Sequence, residues 1–284
     1  ELETLIPDIH KLLNRLNNDE DINAELAPHL PSFIAGVGEA VQHWATPQIR
    51  EKGSLRMSNI GKPTRQLWFE KRDKNANNSI NGSTQVKFLY GHMLEEIALM
   101  LVRMVGYSVT DEQKEVDVNG VLGHMDCKIN GEVVDVKTAS RFAFNKFRHG
   151  TLAEDDPFGY LGQLAGYEEA EGTEHGGFFV INKESGELCM YQPDDFDKPI
   201  ITDKISKTIK ALDLDSKPEL CYNPIPDGKK GNIKLPKGCN WCKYKFECHK
   251  DSNGGEGLRG FRYSNGMSYL THVEVEPKVE EVIL

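Results

Sequence analysis

Two acids and an amine stand close together in the chain at Asp126, Asp135 and Lys137, in a run where apolar and polar residues alternate around an Asn130-Gly131 pair. Asn-Gly is the pair that a two-residue hairpin turn favours, because both of its central positions take positive φ. With the chain closed there, Asp126 falls opposite Asp135 and His124 opposite Lys137, so four polar side chains share one face. The other face receives Met125, Cys127, Ile129, Val134 and Val136, the alternation of a strand pair with its back to a core. Two facing carboxylates at about 5 Å repel unless a cation lies between them. Oxygen-only ligands suit Mg²⁺ or Mn²⁺. Lys137 adds a point charge that can orient a water and stabilise the extra charge of a phosphoryl transition state. The set reads as a phosphodiester hydrolysis site, and the plain alternative is a solvated hairpin that carries two acids and a lysine on its outer face.

A second cluster is made of thiols. Cys239-x-x-Cys242-x5-Cys248 can wrap one ion or cluster, with Cys221 as the natural fourth ligand and His249 as its competitor. A four-sulfur site holds either [4Fe-4S] or Zn²⁺, and spacing does not choose between them. Cys127 and Cys189, each inside a strand pattern, read as small core residues.

Gly123-His-Met-Asp126 followed by Val134-Asp135-Val136-Lys137 resembles the core motif of the PD-(D/E)XK nucleases, RecB-like exonuclease branch. Gly91-His-Met-Leu-Glu95 resembles that family's helical acidic motif, and Gln163-Leu-Ala-Gly-Tyr167 its Gln-x-x-x-Tyr motif. The segment from Ser58 through Arg65 to Trp68 is similar to the one that opens the nuclease core in iron-sulfur members, but Lys62 stands where their cysteine would be. The thiol cluster resembles their C-terminal iron-sulfur staple. The resemblance covers about residues 56–249 and implies a restriction-endonuclease-like α/β fold with a central mixed sheet flanked by helices. It further implies catalytic roles for Glu95, Asp126, Asp135, Lys137, Gln163 and Tyr167, with Glu95, Asp126, Asp135 and Val136 around the metal. The implied activity is that of a Mg²⁺-dependent deoxyribonuclease, an exonuclease acting on linear DNA with free ends in phage-type recombination, replication or repair. A recombination or single-strand-binding protein is the implied partner. The rivals are a structure-specific or restriction-like endonuclease and a non-catalytic DNA-binding module that uses the cysteine site.

The elements that must position these groups follow from periodicity. Leu5, Ile6, Ile9, Leu12, Leu13 and Leu16, then Phe33, Val37, Val41 and Trp44, recur at helical spacing. A short helix is expected after Pro63 (64–72), a polar loop over 74–83, and a long helix over 84–105 with a stripe of Val86, Leu89, Met93, Leu94, Ile97, Leu101, Met104 and Val105, ended by Gly106. From Tyr107 the period falls to two, giving strands over 107–118, 123–129 and 132–138. Helices over 141–148 and 157–171, strands over 177–181 and 188–192, and a helix over 195–214 complete an α/β core. The expected divisions are an N-terminal helical region (1–55), a nuclease core (56–217) and a cysteine-cluster module with its tail (218–284).

A net charge of -10 argues against a polyanion partner only if it is evenly spread. Residues 56–90 carry seven basic and two acidic side chains, 137–149 four and none, and 228–250 seven and one. Arg65, Arg141, Lys146 and Arg148 are therefore the expected phosphate contacts. No run is apolar and long enough to span a membrane, the first ten residues lack the pattern of a secretory leader, and six cysteines are too few for a disulfide scaffold, so the cytoplasm is the expected compartment.

Overall fold

The computed structural model describes residues 2–46, 53–73 and 81–283. The expected loop over 74–83 lies mostly outside them. Down the chain the helices are α1 (Leu5–Asn14), α2 (Asn23–Leu26), α3 (Leu30–Ala45), α4 (Met57–Ile60), α5 (Thr64–Arg72), α6 (Gly82–Met104), α7 (Arg141–Arg148), α8 (Tyr160–Glu171), α9 (Ile201–Asp213), α10 (Lys237–Asn240) and α11 (Lys245–Cys248). The strands are β1 (Val109–Thr110), β2 (Lys114–Val118), β3 (Val121–Met125), β4 (Cys127–Ile129), β5 (Glu132–Ala139), β6 (Gly177–Asn182), β7 (Leu188–Tyr191), β8 (Ile225–Pro226), β9 (Ile233–Lys234), β10 (Arg259–Tyr263), β11 (Gly266–His272) and β12 (Glu280–Val282). The chain makes two compact units, Glu1–Gly61 with Asn75–Lys207, and Lys62–Lys74 with Thr208–Leu284. The segment that was expected to open the nuclease core is thus shared between them. Among the described residues no helix is long and apolar enough to cross a membrane.

The first unit is built on a mixed sheet of order β1-β4-β5-β6-β7, in which only β5 and β6 run parallel. Strict alternation along β5 sends Val134 and Val136 to a core with α1 and α6 (Leu5, Ile9, Leu99, Val102), and Val133 to a second core on the other face with α7 and α8 (Phe144, Phe147, Leu164). A central mixed sheet flanked by helices is the expected fold class, and it is observed. The buried residues of α6 are Ala98, Leu99, Val102 and Met104, of which only Met104 belongs to the expected stripe; Leu94, Leu101 and Val105 of that stripe are partly buried against the same core, and Val86 is exposed.

Asn130 (φ 50°) and Gly131 (φ 90°) close the β4–β5 hairpin, and Ile129↔Glu132, Lys128↔Val133 and Cys127↔Val134 pair in the expected register. The ladder then stops. At Asp126 the chain leaves β5, and β3 pairs with β2 through a second Asn-Gly turn, Asn119 (φ 52°) and Gly120 (φ 81°). His124 therefore faces Glu115 and not Lys137, and Asp126 has no ladder partner. Met125 falls into the core with Tyr167, while Cys127 lies in the opposite one. The single strand expected over 123–129 is two strands with a break between them. Similarly, α9 starts at Ile201 because Pro199 holds Lys198 extended (ψ 138°) and ends the preceding turn.

The second unit holds α5, a helix over the expected residues but expected in the nuclease core, and an antiparallel sheet of order β12-β10-β11-β9-β8 that was not expected. Leu235, Cys239 and Leu258 form its small core.

Candidate active site

Asp135 and Lys137 lie two apart on β5 and so on one face. Asp135 is wholly buried and Lys137 partly so, and the two side chains form an ion pair. Burial works against the Lys137 charge, but Asp135 and Asp126 outweigh it and hold the amine above its ordinary pKa. Asp135 Oδ1 accepts no hydrogen bond. Where the β4–β5 ladder ends, Asp126 supplies what the missing strand would have: its Oδ2 accepts from Val136 N at 2.7 Å. Burial, then the neighbouring charges of Asp135 and Glu95, push the Asp126 carboxyl well above the carboxylate range. Glu95 comes from α6, where Gly91 one turn earlier brings the helix to Thr138 of β5 (a Cβ there would stand 3.7 Å from Oγ1). It accepts from Gln113 Nε2 at 2.9 Å, and burial, Glu96 and Asp135 push its pKa up to about 7. Glu96, the neighbouring candidate, answers to burial, Glu112 and Arg103, so its surroundings are different.

Three carboxyls with one ammonium among them make a site short of positive charge. The orphaned oxygen of Asp135 and the all-oxygen donor set fit a hard divalent cation. Among the described residues no three such side chains already surround a common point closely enough to grip a metal. The reason is visible: Lys137 sits on Asp135, and Asp126 is turned to the Val136 amide. Val136 itself offers only backbone, since its side chain is in the opposite core.

Gln163 and Tyr167, one turn apart on α8, lie inside the unit. Lys137 Nζ donates to Gln163 Oε1 (3.4 Å), Gln163 Nε2 to Tyr167 Oη (3.0 Å), and Tyr167 Oη to the His124 carbonyl (2.7 Å). The motif therefore ties the lysine to the strand that diverges at Asp126. Tyr160 was not foreseen; the Lys137 ammonium lies 5.1 Å from its ring centroid. Its place on the same helix face, three residues before Gln163, was the available signal. His92 stands edge-on to His43 at 6.2 Å, as ordinary packing.

The expected phosphate contacts fare unequally. The Arg141 guanidinium has no ion-pair partner among the described residues, whereas Lys146 is held by Asp155 (2.6 Å) and Arg148 by Glu187 (2.7 Å). Arg65 belongs to the second unit, where it donates to Pro218 O (2.6 Å) and to Cys248 Sγ (3.1 Å); its guanidinium serves the thiol cluster and is not presented to a phosphate.

Within the second unit Cys221, Cys239, Cys242, Cys248 and His249 line one pocket. Burial, then the three other thiols, pushes Cys239 up to about 12, and Cys221 and Cys242 are raised by burial and by Cys248 among others. Four sulfurs within one another's field are a donor set that fits a thiophilic ion or cluster, although none is gripped by the side chains as they stand.

No family model and no curated protein matches the chain. Among solved structures it is similar to an alkaline exonuclease (LHK-Exo) from Laribacter hongkongensis, with a TM-score of 0.41 and 15% identity over 56% of this chain and 88% of that one. The same enzyme in complex with dAMP gives 0.37 and 12%, over 56% and 88%. A phage-related exonuclease from Haemophilus somnus 129PT gives 0.42 and 15%, over 57% and 92%.

Proposed function

We propose that the first unit is a metal-dependent DNA exonuclease of the PD-(D/E)XK type, RecB-like branch, acting on linear ends in recombination, replication or repair. The observation that supports it is the gathering of Glu95, Asp126 and Asp135 around Lys137 where the β4–β5 ladder stops. Glu95, Asp126, Asp135 and the Val136 backbone would hold Mg²⁺ or Mn²⁺, which would polarise the scissile phosphate and lower the pKa of a bound water. Lys137, now paired with Asp135, would face the phosphate and steady the charge that grows on its oxygens. Gln163 keeps the amine in place, and Tyr167 keeps the Asp126 break open by holding His124. Arg141, Lys146 and Arg148 are the proposed phosphate contacts, the last two on exchanging Asp155 and Glu187 for the strand. In the second unit the four cysteines would hold [4Fe-4S] or Zn²⁺ as a structural staple, and a recombination or single-strand-binding protein is the proposed partner.

The test is incubation of the purified protein with end-labelled linear and with circular DNA, with and without Mg²⁺. Nucleotide release from linear DNA alone, only with the metal, is the expected result. Cutting of circles would make it an endonuclease, and binding without hydrolysis in Mg²⁺ or Mn²⁺ would make it a DNA-binding module.

A further inference from the structure

Phe158 is 58% exposed, an unusual place for a phenyl ring in a region as well packed as this one. It is not loose. Asp156 caps the start of α8, accepting from Gly159 N (2.9 Å), Tyr160 N (3.0 Å) and Leu161 N (2.9 Å), and Pro157 fixes φ just before the ring. From below, Gly61 meets Gly159 backbone to backbone, so closely that a Cβ on Gly61 would lie 1.9 Å from the Gly159 carbonyl oxygen. One side of the ring stacks on Tyr160 at 5.6 Å. Tyr160 is in turn wedged against Phe147 (5.9 Å) and Phe178 (6.4 Å) and carries the Lys137 ammonium at 5.1 Å. A ladder of two rings thus runs from the lysine of the hydrolytic centre to the surface, and its outermost rung is rigid and faces solvent.

The surroundings say what could lie on it. Of the four basic side chains in residues 137–149, Lys137, Lys146 and Arg148 are paired with Asp135, Asp155 and Glu187, and Arg141 is without an ion-pair partner among the described residues. A fixed aromatic face that leads through Tyr160 to the Lys137 ammonium is suited to a flat ring attached to a phosphate chain. We propose that Phe158, backed by Tyr160, is the stacking platform for one unpaired nucleobase of the DNA strand that enters the site, next to the phosphate addressed by Lys137. The inference rests on the nuclease reading and adds to it a preference for a strand end whose last bases are unpaired. Phe158 acts as a positioning residue: it touches a base and not the reacting atoms.

The experiment uses the full chain in EDTA, so that binding is read without hydrolysis. Single strands carrying 2-aminopurine at successive positions from each end report stacking as quenched fluorescence. Wild type should quench one position strongly. Phe158→Ala should lose that quenching and bind about tenfold more weakly, the loss of one base stack, with an unchanged melting temperature. Phe158→Tyr should restore both. In Mg²⁺, Phe158→Ala should raise KM for single-stranded and frayed ends far more than it lowers kcat. Quenching and affinity that survive Phe158→Ala in a wild type that hydrolyses DNA would overturn the platform alone. A wild type that neither binds nor hydrolyses DNA would overturn the nuclease reading and the platform with it.

Discussion

Asp135 is fully buried, and the positive charge beside it belongs to Lys137. Lys137→Ala therefore does more than remove the proposed catalytic amine: it strands a buried carboxylate and should cost about 3 kcal/mol of stability in EDTA, read as a lower melting temperature, while hydrolysis should be abolished. Lys137→Ala combined with Asp135→Asn should recover most of the stability and none of the activity. Glu95 gives a pH prediction. Its ordinary pKa of 4.5 rises in the folded chain to about 7, so the folded state holds its proton longer than the unfolded one. The stability this confers is complete below about 4.5, is lost as pH rises towards 7 and is gone above it. In EDTA the melting temperature of wild type minus that of Glu95→Gln should fall across this window, and Mg²⁺ should flatten the fall. A difference that stays constant with pH would remove Glu95 from the cluster. Asp135 and Lys137 were readable in the sequence as two residues on one face of the strand after the Asn130-Gly131 turn, whereas the expected pairing of Asp126 with Asp135 failed because the ladder stops at Cys127. Tyr160 was not, because a lone tyrosine at a helix start does not say what will lie against its ring.

At the scale of elements, α8 is positioned by glycines. Gly162 admits Gly61 (a Cβ would lie 2.7 Å from the Gly61 Cα), and Gly166 admits the Met57 side chain (2.0 Å from Sδ). These look similar and should behave differently. Gly61→Ala drives a methyl into the Gly159 backbone, which has nowhere to go, and should cost about 2 kcal/mol and reduce turnover by shifting Gln163 and Tyr167. Gly166→Ala meets a flexible thioether that can swing aside, so its cost should be the smaller. Thermal melts and steady-state kinetics of the two variants check the order. Helices α5 and α7 were legible to the residue, since Pro63 and the strand before Arg141 mark their starts. The break at Asp126 was not legible, because apolar and polar residues go on alternating through it. What decides the matter is the Asn119-Gly120 turn, which gives residues 121–125 a partner of their own.

On the scale of the whole molecule, the two units carry separable chemistry. Ser at Cys239 or Cys242 should remove iron or zinc from the purified protein and lower the melting of the second unit, while Asp135→Asn leaves that metal content unchanged. Elemental analysis and a chelator titration followed by calorimetry read both. Cys221→Ser against His249→Ala decides the fourth ligand, and Arg65→Ala should reduce occupancy because Cys248 loses its donor. The cysteine pattern was plain in the sequence. The sheet around it was not, since β8 and β9 are two residues each and leave no periodicity to read.

The unpaired seam at Asp126 sets stability and activity against each other. Asp126→Asn keeps the carbonyl that receives the Val136 amide and discards a charge that Asp135 and Glu95 repel, so the variant should melt a few degrees higher in EDTA and be inactive. Random selection for thermal resistance alone would be drawn to this position and would return tougher, dead proteins.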